Sequence, residues 1–125
     1  MIEKLRNTSN YTKSEVISMC IYSIKEIEEK VRPIAEMYET GNIYLFGSYA
    51  RGEATEKSDI DLLVEKGNAN GIKFFVLFDE FREAFGKNID IISDYQIEES
   101  KKDPMYREFL NEVERDRKMI YKCQI

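Results

Sequence analysis

The spacing of apolar side chains in the first third of the chain predicts helices. Thr12 is followed three residues later by Glu15, which is the pattern of a capping box at a helix N-terminus. Apolar residues then recur at helical spacing: Val16, Ile17, Cys20, Ile24, Ile27 and Val31. Proline is disfavoured inside a helix, so we predict one helix from Thr12 to about Val31 and a kinked or short second helix over 33–39.

Three short segments later in the chain are predicted to be strands. The run 43–46 is apolar and follows the turn signal Gly41-Asn42, which is typical of a buried strand. In residues 59–64, aspartates first alternate with apolar residues, and the segment then ends in a wholly apolar run. Residues 88–93 likewise combine an aspartate with isoleucines. We therefore predict two further strands over 59–64 and 88–93.

Two more helices are predicted from periodicity and capping signals. Residues 72–85 carry a stripe at three- and four-residue steps, and Gly86 is a fitting C-cap: the stripe is Phe74, Leu77, Phe78, Phe81 and Phe85. Such a stripe is typical of packing against a sheet. Asp103-Pro104 is a suitable start for a final helix, with Met105, Phe109, Val113 and Ile120 on its apolar side.

The order helix, strand, strand, helix, strand, helix predicts an α/β or α+β fold with a small mixed sheet covered by helices. A length of 125 residues is enough for one domain with one core. Within this single domain, 1–125, we distinguish an N-terminal polar arm and helices over 1–40, a central part over 43–92, and a C-terminal helix over 104–121.

Charge and composition narrow the function. Nineteen basic and 24 acidic residues give a formal net charge of −5, which argues against binding long nucleic acids. A triphosphate substrate would need its charge offset, most simply by a metal ion. The chain has no histidine, which excludes histidine acid–base chemistry, Ser-His-Asp triads and histidine-ligated zinc.

No apolar run approaches 18 residues, so no membrane span is expected, and the first residues do not resemble a signal peptide. Cys20 and Cys123 have no metal-like spacing, and each falls in a segment predicted to be helical. We expect two ordinary thiols in a reduced, cytoplasmic protein.

The strongest chemical signal is the pair Asp59 and Asp61 on the second predicted strand. Side chains alternate along a strand, so both carboxylates are expected on one face, while Ile60 and Leu62 face the other way. Two buried carboxylates repel each other unless a cation joins them, and Mg²⁺ prefers oxygen ligands. The alternative is a solvated strand end, which the neighbouring turn makes the weaker interpretation.

That turn begins at Gly47-Ser48, directly after the first strand. Glycine lets the backbone bend and approach a ligand, and the N–H groups of such a turn together with the serine hydroxyl can bind an anion. Arg51 could contact a phosphate through its guanidinium, or it could form a surface ion pair, and the sequence favours neither.

A third carboxylate is expected on the strand that follows. Asp90 is a lone aspartate in an apolar strand and faces away from Ile89 and Ile91. The loop and helix over 65–87 have the right length to return this strand beside the second one. Asp94 is the rival, but it lies in a predicted turn, so Asp90 is preferred.

These residues resemble a known family. Gly47-Ser48, then ten residues, then Asp59-x-Asp61 is similar to the signature of the DNA polymerase β-like nucleotidyltransferase superfamily. The wider string Leu-Phe-Gly-Ser-Tyr-Ala-Arg-Gly, followed by Ser-Asp-Ile-Asp-Leu-Leu-Val, resembles its minimal nucleotidyltransferase (MNT) branch. With the third strand, the resemblance covers residues 43–92.

The resemblance implies the nucleotidyltransferase fold and its mechanism. Two Mg²⁺ ions would bind Asp59, Asp61 and Asp90, and Gly47 and Ser48 would hold the triphosphate of ATP. Asp90 would help to activate an acceptor hydroxyl, which attacks the α-phosphorus while pyrophosphate leaves.

The resemblance also implies a partner. Minimal members are paired with HEPN-domain toxins and act as antitoxins, some by transferring AMP to a tyrosine of the toxin. Two alternatives remain open: a non-catalytic binding protein that neutralises such a partner by contact, and an adenylyltransferase of a small molecule such as an aminoglycoside. Homo-oligomer formation is also left open.

Overall fold

The computed structural model describes residues 21–124, which form helices on a four-stranded sheet. The elements follow in chain order: α1 Ile24–Tyr38, β1 Ile43–Phe46, α2 Gly47–Arg51, β2 Ile60–Val64, α3 Ile72–Phe85, β3 Ile89–Ser93, α4 Asp94–Ser100, a 3₁₀ turn Pro104–Tyr106, α5 Arg107–Asp116 and β4 Lys118–Tyr121. None of the helices in this part of the chain is long and apolar enough to cross a membrane.

The sheet has the strand order β3-β2-β1-β4 and is mixed. β1 pairs antiparallel with both β2 and β4, whereas β2 and β3 are parallel. The parallel pair needs a crossover, which α3 provides, as the length of the 65–87 segment predicted. The predicted fold class, a small mixed sheet covered by helices, is confirmed.

One face of the sheet forms the main core with α1 and α3. Side chains alternate between the two faces along β1, β2 and β3, so every second residue of these strands points toward the two helices. The core includes Ile43, Leu45, Ile60, Leu62 and Val64 from the sheet, Ile27, Val31 and Ala35 from α1, and Leu77, Phe81 and Phe85 from α3. The predicted α3 and its C-cap are confirmed, since Gly86 adopts a left-handed conformation with φ of 63°.

The opposite face is smaller and is covered in part by α5. We call it the second face; it carries Tyr44, Phe46, Asp61, Leu63, Asp90 and Ile92. Phe46 and Leu63 pack there against Val113 of α5, and the Phe46 and Phe109 rings meet edge to face at 6.2 Å. The second face therefore combines apolar packing with two carboxylates, of which Asp61 is half-buried and Asp90 is exposed.

The predicted boundaries of the first helices are wrong within the described residues. α1 begins after Ser23, whose hydroxyl accepts a hydrogen bond from the Glu26 N–H while the Glu26 carboxylate accepts one from the Ser23 N–H. The helix then continues through Pro33 without ending. The buried stripe Ile27, Val31 and Ala35 crosses the proline, so packing outweighs the lost hydrogen bond. The predicted arm over 1–11 and the capping box at Thr12 lie outside the described residues.

The predicted C-terminal helix over 104–121 is also wrong at its end. α5 stops at Asp116, and β4 pairs with β1. Ile120 and Tyr121 are buried in the main core, and their β-type side chains suit the strand that protects the edge of β1. Cys123 consequently follows a strand, not a helix as predicted, and its N–H donates to the Asn42 Oδ1 at 2.8 Å.

Candidate active site

Three side chains lie side by side on neighbouring strands of the second face. Phe46 of β1 is the cross-strand partner of Asp61 of β2, which is in turn the partner of Asp90 of β3. We call the neighbouring carboxylates of Asp61 and Asp90 the carboxylate row. Directly opposed residues on one face have β-carbons about 5 Å apart, so the parallel register brings the Asp61 and Asp90 carboxyls together. Asp94, the rival, lies beyond the other end of β3, where its carboxylate accepts a hydrogen bond from the Lys66 N–H.

The environment of Asp61 opposes its negative charge. Burial raises the pKa of Asp61 to about 7, and the charge of Asp90, a side-chain hydrogen bond with Asp90 and the charge of Asp59 act in the same direction. Arg51 lowers this pKa, but by less. Functional carboxylates and cation sites often place like charges close together where water is partly excluded.

Asp59 lies immediately before β2 and is exposed. The prediction that Asp59 is part of the strand is therefore wrong by one residue. Asp59 still lies close enough to raise the pKa of Asp61. The three predicted carboxylates form one electrostatic cluster: Asp61 and Asp90 are fixed by the sheet, and Asp59 is placed by the loop that precedes it.

Gly47 allows the chain to pass over the carboxylate row. Its φ is +74°, in the left-handed region, and a β-carbon there would overlap the Asp61 Oδ2 and lie 3.1 Å from the Asp61 Cγ. Glycine is therefore required twice, by backbone conformation and by space. Where the sequence predicted a simple turn, the chain forms the short helix α2.

Ser48 follows in α2 and is half-buried. Its carbonyl accepts hydrogen bonds from the Gly52 and Glu53 N–H groups, while its hydroxyl has no partner within residues 21–124. A serine hydroxyl can both donate and accept hydrogen bonds.

Arg51 forms ion pairs on the rim of this site. Its guanidinium contacts Glu53 at 2.8 Å and Asp116 at 2.9 Å, which ties α2 to the end of α5. These contacts match the ion-pair interpretation left open by the sequence. The Arg51 side chain keeps 39% of its surface exposed.

The donor set suits a hard divalent cation. Carboxylate oxygens are the ligands that Mg²⁺ prefers, and it usually takes one or two of them and completes its shell with water and phosphate oxygens. Within residues 21–124, no three acidic or thiol side chains converge as a complete metal cage. Asp61 and Asp90 thus supply the one or two carboxylates that such an ion takes from a protein.

A sequence comparison now places the chain in a family. The profile of the family described as "Nucleotidyltransferase domain" matches residues 24–116. The chain belongs to this family. The prediction of a nucleotidyltransferase enzyme is confirmed, and the match contains all of Gly47, Ser48, Asp59, Asp61 and Asp90.

Relatives agree with this nucleotidyltransferase assignment. A Methanocaldococcus jannaschii protein, provisionally named a protein adenylyltransferase, is 38% identical over 87 residues, which are 69% of this chain and 94% of the relative. The protein adenylyltransferase MntA of Thermococcus cleftensis is 33% identical over 79 residues, or 59% of this chain and 80% of MntA. The resemblance to the minimal branch is therefore confirmed.

A solved structure shares the fold. It contains a tri-AMPylated Shewanella oneidensis HEPN toxin in complex with an MNT antitoxin. The matched chain is 19% identical with a TM-score of 0.52, and the match covers 80% of this chain and 74% of that one. At this identity the likeness concerns the fold.

Two further features of this nucleotidyltransferase, besides α2 and β4, were not predicted from its sequence. The helix α4 begins with a capping box between Ser93 and Gln96, and the Ser-x-x-Gln pattern could have revealed it. Lys87 is buried beside α2, and no sequence pattern indicated this. A cavity of about 560 Å³ near α4 is lined in part by Leu63, but Asp59, Asp61 and Asp90 do not line it.

Proposed function

We propose that this nucleotidyltransferase transfers AMP from ATP to a hydroxyl group of a HEPN-domain toxin, on a tyrosine side chain, and so acts as an antitoxin. The observation that carries the proposal is the carboxylate row beneath Gly47, in which Asp61 and Asp90 are held in register and Asp59 lies within electrostatic reach.

The partner is inferred from relatives. The relative MntA is named a protein adenylyltransferase, and the solved complex with the same fold joins an MNT antitoxin to an AMPylated HEPN toxin. The described part of this chain adds a consistent feature. Met105, Tyr106 and Phe109 expose apolar surface close together along the chain, and the Phe109 ring packs against Phe46. Such a surface suits contact with a protein more than with a polar sugar.

In the proposed reaction, the acceptor oxygen forms a bond to the α-phosphorus of ATP, and the bond from that phosphorus to the bridging oxygen of the β-phosphate breaks. The products are the AMP ester and pyrophosphate. Asp90, which is exposed at the edge of the row, accepts the proton of the acceptor hydroxyl. The Ser48 hydroxyl and the N–H groups beginning at Gly47 bind the departing phosphates.

Asp59, Asp61 and Asp90 would hold two Mg²⁺ ions, which would stabilise the attacking and leaving oxygens and offset the charge of the triphosphate. The raised pKa of Asp61 suits this assignment, because a bound cation would offset both the burial and the repulsion that now raise it.

The test is a transfer assay with candidate HEPN-domain proteins from the same organism, each taken in turn as the toxin. ATP labelled at the α-phosphate, Mg²⁺ and both proteins are incubated, and label on the toxin is located by mass spectrometry. We expect one or more AMP groups on tyrosine with the wild type and none with Asp59→Ala. Asp79→Ala is the matched control, because Asp79 is an exposed aspartate of α3 on the other side of the sheet.

Each alternative has its own outcome. Toxin neutralisation that survives in Asp59→Ala without labelling would identify a non-catalytic binding protein. Labelling of an aminoglycoside without the HEPN protein would identify a small-molecule adenylyltransferase. Either result would overturn the proposal.

A further inference from the structure

Lys87 is a buried lysine just before β3. Only 8% of its surface is exposed, and lysine is seldom buried to this extent without partners. Its Nζ donates hydrogen bonds to the Tyr49 hydroxyl and to the Glu56 carbonyl, each at 3.1 Å. The same Nζ lies 5.5 Å from the centroid of the Tyr49 ring, within cation–π range.

These contacts join the three chain segments that carry the candidate site. Tyr49 directly follows Ser48 in α2, and it is also buried. Glu56 belongs to the loop that leads to Asp59. Lys87 itself lies three residues before Asp90. One ammonium group therefore connects the helix of Ser48, the loop of Asp59 and the strand of Asp90.

The loop contact decides where Asp59 lies. Residues 55–58 form a compact turn in which the Ser58 N–H donates to the Thr55 carbonyl at 3.0 Å and the Thr55 N–H donates to the Ser58 hydroxyl at 2.8 Å. A turn bonded to itself in this way moves as a unit. Asp59 follows it directly and precedes the first residue of β2, so the anchoring of the turn sets the position of its carboxylate.

We infer that Lys87 is a positioning residue, which fixes Asp59 relative to Asp61 and Asp90 by anchoring the 55–58 turn to α2. The inference rests on the proposed function for its activity readouts. Lys87 touches neither substrate nor metal in this assignment, and its effect on catalysis passes through the Glu56 carbonyl.

The test compares Lys87→Met with wild type in four measurements. Methionine keeps most of the buried volume but cannot donate a hydrogen bond. Three are the kcat and KM for ATP, the Mg²⁺ concentration at half-maximal rate, and Mn²⁺ affinity by electron paramagnetic resonance in the presence of a non-hydrolysable ATP analogue. The fourth is hydrogen–deuterium exchange of residues 53–59 without nucleotide.

Lys30→Met is the matched control. Lys30 Nζ also donates to a backbone carbonyl, that of Ala84 at 3.2 Å, and also lies over a tyrosine ring, that of Tyr22 at 5.6 Å. It joins α1 to α3 on the main-core side of the sheet, away from the carboxylate row. Loss of a similar contact there reports the general cost to stability.

For Lys87→Met we expect kcat to fall about 10- to 100-fold, as for residues that orient ligand groups from behind, with a weaker change in KM. Mn²⁺ affinity should fall with it, and exchange should accelerate in residues 53–59. Lys87→Arg should restore much of kcat, because a guanidinium can also donate to both oxygens. Lys30→Met should lower the melting temperature without changing kcat or Mn²⁺ affinity.

The outcomes separate the two hypotheses. An inactive wild type contradicts the proposed function, while Mn²⁺ binding and hydrogen exchange still test Lys87. An active wild type with unchanged kcat, Mn²⁺ affinity and exchange in folded Lys87→Met overturns the positioning role. If Lys87→Met does not fold, Lys87→Arg decides through the same four measurements. Values near those of the wild type agree with the anchoring of the turn, whereas a loss of Mn²⁺ affinity without faster exchange in 53–59 would contradict it.

Discussion

At the scale of single residues, the ionised form of Asp61 is disfavoured by its surroundings in the site. Its pKa is raised to about 7 from 3.8, first by burial and then by Asp90 and Asp59. Between these pH values the folded chain holds more protons than the unfolded chain, so this group lowers the stability progressively as the pH rises through that window. A bound cation would remove this loss of stability, because it would offset the negative charges.

Replacing Asp61 by asparagine should therefore stabilise the metal-free protein. We expect Asp61→Asn to raise the free energy of unfolding by roughly 1–3 kcal/mol at pH 8 and by much less at pH 4, since one pKa unit corresponds to about 1.4 kcal/mol. Urea denaturation in EDTA at both pH values measures this. Asp79→Asn serves as the exposed control, and a gain for Asp61→Asn that does not depend on pH would contradict the raised pKa.

Gly47 offers a second residue-scale prediction, with Gly52 as a matched control. Both glycines have φ of +74°, but a β-carbon at Gly52 would meet nothing within 4 Å, whereas one at Gly47 would overlap the Asp61 carboxylate. Gly52→Ala should cost about 1–2 kcal/mol through its backbone alone, and Gly47→Ala should cost more. Thermal unfolding of both variants, repeated with Asp61→Ala, should show the excess vanish when the carboxylate is absent.

At the scale of elements, α1 shows that packing can outweigh a local signal such as a proline inside a helix. Its capping box at Ser23 and its buried stripe extend the helix across Pro33, which the periodicity alone could not decide. The sequence indicated β1, β2, α3 and β3 correctly because each has a clear apolar pattern and a turn signal. It misplaced β4 because Ile120 fits a helical stripe and a strand equally well, and the long-range pairing with β1 decided between them.

Pro33 should be a weak point of α1. It lies exposed inside the helix and lacks the N–H that would donate to the Glu29 carbonyl. We expect Pro33→Ala to raise the free energy of unfolding by roughly 1–3 kcal/mol, because proline is the least favourable residue in a helix interior. Chemical denaturation tests this, with exposed Met37→Ala as control. A loss of stability would mean that the proline geometry is required.

The strand assignment of β4 can be tested by two neighbouring substitutions. Ile120 is 7% exposed, whereas Met119 is 47% exposed. Ile120→Ala should destabilise the protein by about 2 kcal/mol or more, and Met119→Ala by less than about 0.5 kcal/mol. Equal effects in urea denaturation would argue against the burial of Ile120 in β4.

At the scale of the whole molecule, the two faces of the sheet have different tasks. The main core joins the strands to α1 and α3, and the second face holds the carboxylate row in register. The candidate aspartates and Gly47 could be predicted because the chemistry demands those residue types. The electrostatic coupling within the carboxylate row and the contacts of Lys87 form only in the assembled sheet. They therefore could not be predicted from a local sequence pattern.

Ligand binding should be visible in the stability of the entire fold. Mg²⁺ with a non-hydrolysable ATP analogue at about 100 times Kd should stabilise the wild type by about 2.7 kcal/mol. Thermal shift measurements should lose this gain in the Asp59→Ala/Asp61→Ala variant and when EDTA replaces Mg²⁺. An equal gain in that variant would place the nucleotide elsewhere.

The pairing of β4 with β1 has a consequence for synthesis on the ribosome. β1, β2 and β3 follow one another along the chain, whereas β4 joins β1 from the far end of the described residues. The nascent chain can therefore form the carboxylate row while one edge of β1 is still unpaired. An unpaired edge invites association with other chains, so residues 118–121, translated after the other strands, act as the cover that ends this vulnerable interval.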